Sequence, residues 1–253
     1  VALFEETALS LEIKICGLST PETLDAALGA GADMVGMVFF PPSPRHVDLA
    51  TASALAARAR GRADKGVGQK VGIVALTVDA DDAALADIIA AVRPDMLQLH
   101  GKESPERVEA IRTRFELPVM KAVGIASAAD LARLAAYEGV ADRLLLDAKP
   151  PKDALLPGGN GVPFDWDLLA DLDLSIPYLL SGGLGPENVG DAIRRVRPFG
   201  VDVSSGVERV AGVKDPARIL AFIREARAAE ASFNPPTGGK PAKPSSSRET
   251  SLS

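Results

Sequence analysis

The sequence is short of cysteine. Of its 253 residues only Cys16 carries a thiol, which rules out an intrachain disulfide framework and any multi-cysteine zinc or iron–sulfur site. An unpaired thiol suits a reducing compartment. Histidine is equally scarce: His46 and His100 fall in different segments, so there is neither an HExxH motif nor a paired-His metal site. No apolar run reaches the ~18 residues of a membrane-spanning helix, and the opening VALFEETALSLEIK lacks the basic stretch that starts a signal peptide. No membrane partner is expected, and the expected location is the cytoplasm. Basic charge is not in excess either. With 34 acids against 28 bases the formal charge is −6, which leaves no footprint for nucleic acid and means that any phosphate must be captured locally. Walker loops are absent, as is a GxGxxG after the first strand, which argues against nucleotide and dinucleotide sites.

What is present is the balance of a folded soluble protein, 47% hydrophobic and 25% charged. From residue 232 the text turns to SFNPPTGGKPAKPSSSRETSLS, without apolar periodicity, and is expected to be a disordered tail. The remaining residues 1–231 hold 25 bases and 33 acids, a net of −8. Within them, short apolar runs alternate with amphipathic stretches. Strands are expected at 12–16, 33–39, 70–76, 96–99, 119–122, 143–147, 178–180 and 200–203. Helices are expected at 21–28, 49–60, 83–92, 105–115, 128–137, 164–169, 186–196 and 216–228. Eight strand–helix units in about 230 residues predict a single α/β domain, a (β/α)8 TIM barrel, rather than an open doubly wound sheet.

In a barrel the chemistry lies where strands hand over to the loops that follow them. Four such ends are unusual. Cys16 closes the first strand and reads either as a poised base or as a small buried hydrophobe. Lys14, two residues earlier on the same face, could supply the field that activates it or serve as a salt-bridge partner. Asp147 ends the apolar run 144–146, as a mouth carboxylate suited to acid catalysis or as a turn cap. The glycine-rich ends SGGLG and SSGVE offer Gly182, Gly183, Ser204, Ser205 and Gly206 as a phosphate cradle of backbone N–H groups and hydroxyls. Arg45, after three prolines, presents a planar fork for a carboxylate or is simply solvated. Gln98 and His100 alternate along the fourth strand and either both face the mouth or form a structural polar pair.

These segments follow a known pattern. KICGLSTPE (14–22), GADMVGMVFFPPSPRHV (31–47), LQLHGKE (97–103), LLLDA (144–148), GGNGVPFDW (158–166), SGGLGPENV (181–189), VDVSSGVE (201–208) and GVKDP (212–216) closely resemble the phosphoribosylanthranilate isomerase family of tryptophan biosynthesis. The resemblance spans about residues 12–227. It implies an Amadori rearrangement in which N-(5-phosphoribosyl)anthranilate becomes the corresponding 1-deoxyribulose 5-phosphate, with no cofactor and no metal. Carried over by motif, the general base falls on Cys16 and the general acid on Asp147. Phosphate falls on Gly182, Gly183, Ser204, Ser205 and Gly206, with Arg45, Gln98, Asn160 and Asp202 binding the rest of the substrate; Arg45 would meet the anthranilate carboxylate and Asp202 the bridging nitrogen. The only implied partner is that small phosphorylated molecule, taken up by a monomer or homodimer. Two features depart from the pattern: the tail, and a long loop AKPPKDALLPGGNG after Asp147 that is expected to act as a lid. The competing readings are another phosphosugar isomerase or epimerase, which would be expected to use a metal or a carboxylate pair, and a barrel that binds a phosphometabolite without turnover.

Overall fold

The structure is a computed structural model that describes residues 10–63, 70–149, 164–170 and 172–233. Eight parallel strands close on themselves in sequence order: β1 (Glu12–Cys16), β2 (Met34–Phe39), β3 (Gly72–Thr77), β4 (Met96–Leu99), β5 (Val119–Ile125), β6 (Arg143–Ala148), β7 (Tyr178–Leu180) and β8 (Gly200–Val203), with β8 pairing back onto β1. The predicted α/β barrel is the observed fold. Around it run α1 (Pro21–Ala30), α2 (Leu49–Ala63), α3 (Asp82–Val92), α4 (Pro105–Phe115), α5 (Ala128–Leu131), α6 (Val189–Val196) and α7 (Pro216–Ala231). A small antiparallel pair, β9 (Glu208–Val210) and β10 (Val213–Lys214), follows β8 and has no counterpart in the sequence expectation.

Caps explain several helix starts. Thr20 and Ser104 accept hydrogen bonds from Thr23 and Arg107, with proline next in line at Pro21 and Pro105; such caps contribute about 1 kcal/mol each. Three helices are shorter than expected. The 128–137 segment breaks into α5 and a 3-10 turn at Leu134–Tyr137, and 164–169 keeps only a 3-10 turn at Trp166–Leu169. At 186–196 the first residues are drawn into a turn, because Asn188 accepts from the Gly185 N–H at 2.8 Å and donates to the Gly183 carbonyl at 2.9 Å.

Strand alternation sorts the core into layers. Ile13, Val35, Ile73, Leu97 and Leu144 face outward into the shell under the helices. Met34, Val74, Met96, Met120, Leu145 and Leu179 fill the inside. At the N-terminal end of the barrel, aspartates preceding β2, β4 and β6 tie the chain to the strand before. Asp33, Asp95 and Asp142 accept from the N–H groups of Ile13, Ile73 and Val119 at 2.8, 2.8 and 2.9 Å. This end is fastened for stability, which leaves the opposite end for chemistry. Asn160, most of the loop after Asp147, and residues 234–253 lie outside the described residues. Phe233, placed in the tail by composition, packs against the core beneath the Arg197 guanidinium, 4.7 Å from the ring centre.

Candidate active site

Along β1 the inward positions are Glu12, Lys14 and Cys16. Barrel closure sets Lys14 opposite Asp202 in the β1–β8 register, and a wholly buried ion pair results, Nζ to Oδ1 at 2.9 Å. The other Asp202 oxygen accepts from Ser181 Oγ at 3.2 Å. The salt-bridge reading of Lys14 is observed, and its ammonium also faces the Cys16 sulfur. A Cβ on Gly36 would lie 2.9 Å from Sγ and 3.1 Å from Lys14 Nζ. Only glycine at that place on β2 leaves room for the pair. Burial pulls the Lys14 ammonium down, but Asp202 and Cys16 outweigh it and its pKa is raised. Burial pushes the Cys16 thiol up; Lys14 is the strongest of the groups drawing it back, with Lys214 adding to the pull and Asp202 opposing it.

Asp147 ends the inward face of β6. Its Oδ1 accepts from the Ala148 N–H at 2.8 Å, and its Oδ2 lies 3.3 Å from His100 Nε2. His100 Nδ1 meets Gln98 Nε2 at 3.1 Å. One tautomer serves both contacts, with Nε2–H toward Asp147 and Nδ1 accepting from the amide. That leaves Gln98 Oε1 buried with no partner among the described residues, a cost of roughly 1–3 kcal/mol unless a ligand donor meets it. Beneath the His100 turn, Lys121 donates to the Leu99 and Gly101 carbonyls and to Glu103, at 3.2, 2.8 and 2.9 Å. The turn is thereby held at fixed height.

The two glycine-rich ends touch. A Cβ on Gly206 would stand 1.8 Å from the Leu184 carbonyl oxygen, and one on Gly182, whose φ is +82°, would stand 2.3 Å from Ala148 N and 3.0 Å from Asp147 Oδ1. Both positions therefore require glycine, and Gly182 brings its turn directly against the end of β6. Gly183 continues that turn. Ser204 and Ser205, half-buried, open the facing one.

Arg45 is buried, and its fork is engaged by Glu208, Nε to Oε1 at 2.7 Å and an NH2 nitrogen to Oε2 at 2.9 Å. Lys214 joins the same carboxylate at 2.6 Å. Glu208 and Lys214 lie in the SSGVE and GVKDP segments, but their pairing crosses a hairpin that sequence reasoning did not find. Among the described residues no group of three or more His, Cys, Asp or Glu side chains is arranged to hold a metal ion, and no helix is long and apolar enough to cross a membrane.

The family model described as N-(5'phosphoribosyl)anthranilate (PRA) isomerase matches residues 13–225. This chain belongs to the PRA isomerase family. It is 61% identical to the N-(5'-phosphoribosyl)anthranilate isomerase of Nitrobacter winogradskyi over 233 residues, 92% of this chain and all of that one. Among solved structures it is similar to a monomeric form of the dimeric enzyme of Thermotoga maritima, with TM-score 0.71 and 34% identity over 86% of this chain and 99% of that one. A PRA isomerase in complex with reduced 1-(o-carboxyphenylamino)-1-deoxyribulose 5-phosphate matches with the same TM-score, identity and coverage. Membership of the PRA isomerase family makes the chain an isomerase, and the motif resemblance and the barrel agree with it.

Proposed function

We propose that this protein converts N-(5'-phosphoribosyl)anthranilate into 1-(2-carboxyphenylamino)-1-deoxyribulose 5-phosphate, an aldose–ketose isomerisation of tryptophan biosynthesis, by acid–base chemistry without a cofactor. The observation that carries the reading is the pairing of strand ends at one mouth. A thiol on β1 is faced by a buried ammonium, and a carboxylate on β6 is met by an imidazole. In its protonated form Asp147 donates a proton to the ring oxygen; the C1–O bond breaks and a Schiff base forms. Its iminium acidifies the neighbouring C–H, so the Cys16 thiolate removes the C2 proton. The resulting enolamine gains a proton at C1 and loses one from the C2 hydroxyl, giving the ketone with no net redox change.

The other groups fit round these two. The phosphate sits on Gly182, Gly183, Ser204, Ser205 and Gly206, where backbone amides approach it without side-chain bulk. The unpaired Gln98 Oε1 accepts from a sugar hydroxyl. Arg45 faces the anthranilate carboxylate. Asp202, placed by family resemblance beside the bridging nitrogen, gives its oxygens to Lys14 and Ser181 and so anchors the base's ammonium under that position. The bound complex of the relative supports a small phosphorylated ligand. We place the protein in the cytoplasm as a monomer or homodimer, which sedimentation of the purified chain separates. Turnover tests the whole: substrate fluorescence should decay in the presence of EDTA with formation of the aminoketose. Loss of activity on chelation would overturn the metal-free reading.

A further inference from the structure

Asn188 stands at the N-cap of α6, and asparagine is among the residues that cap best. Here its side chain makes no cap bond to the helix. It turns back on the loop instead, donating from Nδ2 to the Gly183 carbonyl at 2.9 Å and accepting the Gly185 N–H on Oδ1 at 2.8 Å. Its own N–H meets the Gly185 carbonyl at 3.2 Å. A stabilising cap is given up to hold the turn that follows β7, and local stability given up in this way marks a position where function sets the geometry.

What Asn188 holds is a pair of peptide planes. In a trans peptide the N–H points opposite to the carbonyl of the same plane. With the Gly183 carbonyl on Asn188, the Leu184 N–H points away from it. With the Gly185 N–H on Asn188, the Leu184 carbonyl points away as well, and its oxygen lies against Gly206, where a Cβ would stand 1.8 Å from it. Leu184 is only 2% exposed, yet its N–H meets no acceptor among the described residues. A buried backbone donor without a partner is rare in a folded protein. Glycine on either side of Leu184 makes rotation of both planes easy, so the arrangement needs its clamp. Turning the Gly183–Leu184 plane over would put a carbonyl oxygen where the N–H had been, a dipole of the wrong sign for an anion.

We propose that Asn188 is a positioning residue of the phosphate subsite, and that the donor it aims is the Leu184 N–H, a group not counted in the cradle of Gly182, Gly183, Ser204, Ser205 and Gly206. This rests on the functional reading above, in which those two turns take the phosphate.

The test compares two stable ligands, titrated calorimetrically into the full chain: reduced 1-(o-carboxyphenylamino)-1-deoxyribulose 5-phosphate and its counterpart without the phosphate. Asn188→Ala should weaken the first about tenfold or more, the worth of one hydrogen bond to a charged group, and the second by less than about twofold. In turnover the loss should fall on KM, with kcat within about threefold. Should Asn188→Ala not fold, Asn188→Ser, whose single hydroxyl cannot serve both partners, gives the same comparison. Nuclear magnetic resonance of the unaltered chain needs no variant: inorganic phosphate should move the Leu184 amide proton downfield by more than the Gly185 amide proton, which Asn188 already holds. Equal weakening of both ligands would make Asn188 a general structural residue and overturn the proposal. A fall in kcat with unchanged affinity would overturn it too, as would a Leu184 amide that moves no more than that of Gly185. If the wild-type chain binds both ligands alike, the phosphate assignment itself fails, and this inference with it. A wild-type preference that survives Asn188→Ala overturns this inference alone.

Discussion

Replacing Lys14 by methionine separates two roles of one side chain. The Lys14–Asp202 pair is dry, with exposures of 0% and 6% and a 2.9 Å contact. Removing one partner of such a pair strands a buried charge, at about 3–5 kcal/mol. For a domain of this size each kcal/mol is worth about 2–4 °C in Tm, so Lys14→Met should melt roughly 6–20 °C lower by calorimetry. Lys14 is raised above the ordinary lysine value of 10.5. The stability it contributes is therefore fully present below that pH and is lost only as pH climbs through the higher folded value, so the Tm gap should persist across the neutral range. The second role shows in kinetics. Lys14 is the strongest group drawing the Cys16 thiol down, and its loss lets the thiol rise further. The acid limb of kcat/KM then moves to higher pH. Adding Asp202→Asn should recover most of the Tm and, because the Asp202 charge pushes the Cys16 thiol up, part of the pH shift. A single variant that loses under ~1 kcal/mol would refute the burial argument, and an unmoved acid limb would refute the coupling to Cys16.

Gly206→Ala forces a carbon to retreat by more than 1 Å from its 1.8 Å approach to Leu184 O. A misplacement of that order costs about 100-fold, which should appear in KM and in weaker inhibition by inorganic phosphate. An unchanged KM would detach the turn from phosphate binding. Truncating the chain after residue 233 should leave kcat/KM within about twofold. Truncating after residue 231 also removes Phe233 from under Arg197 and should cost a further ~0.5–1 kcal/mol, read as a lower Tm at equal activity.

Much of the site is legible in the chain because barrel strands alternate with period two and end at one mouth. Cys16 closes the first strand and Asp147 ends the apolar run 144–146, and counting eight units puts both at the same end of the barrel. The pairings across the barrel are not legible. Lys14 meets Asp202 only because β8 closes onto β1 in a particular register, and Arg45 meets Glu208 only because an unforeseen hairpin carries Glu208 and Lys214 back over β1. Gly36 gives no local signal: its reason is the sulfur and ammonium of a neighbouring strand. Helix ends depart from the sequence expectation where side chains capture the backbone, as Asn188 does before α6.

The central claim is that Cys16 and Asp147 carry the proton transfers, and it is tested most directly by following the fluorescence decay of N-(5'-phosphoribosyl)anthranilate under saturating conditions with the wild type, Cys16→Ala and Asp147→Asn side by side. The account predicts efficient decay with the wild type, and kcat lower by ~100-fold or more in each variant, the scale of general acid–base catalysis, with circular dichroism unchanged. A variant that turns over at the wild-type rate would remove that residue from the mechanism, and a wild type no faster than the buffer would contradict the account as a whole.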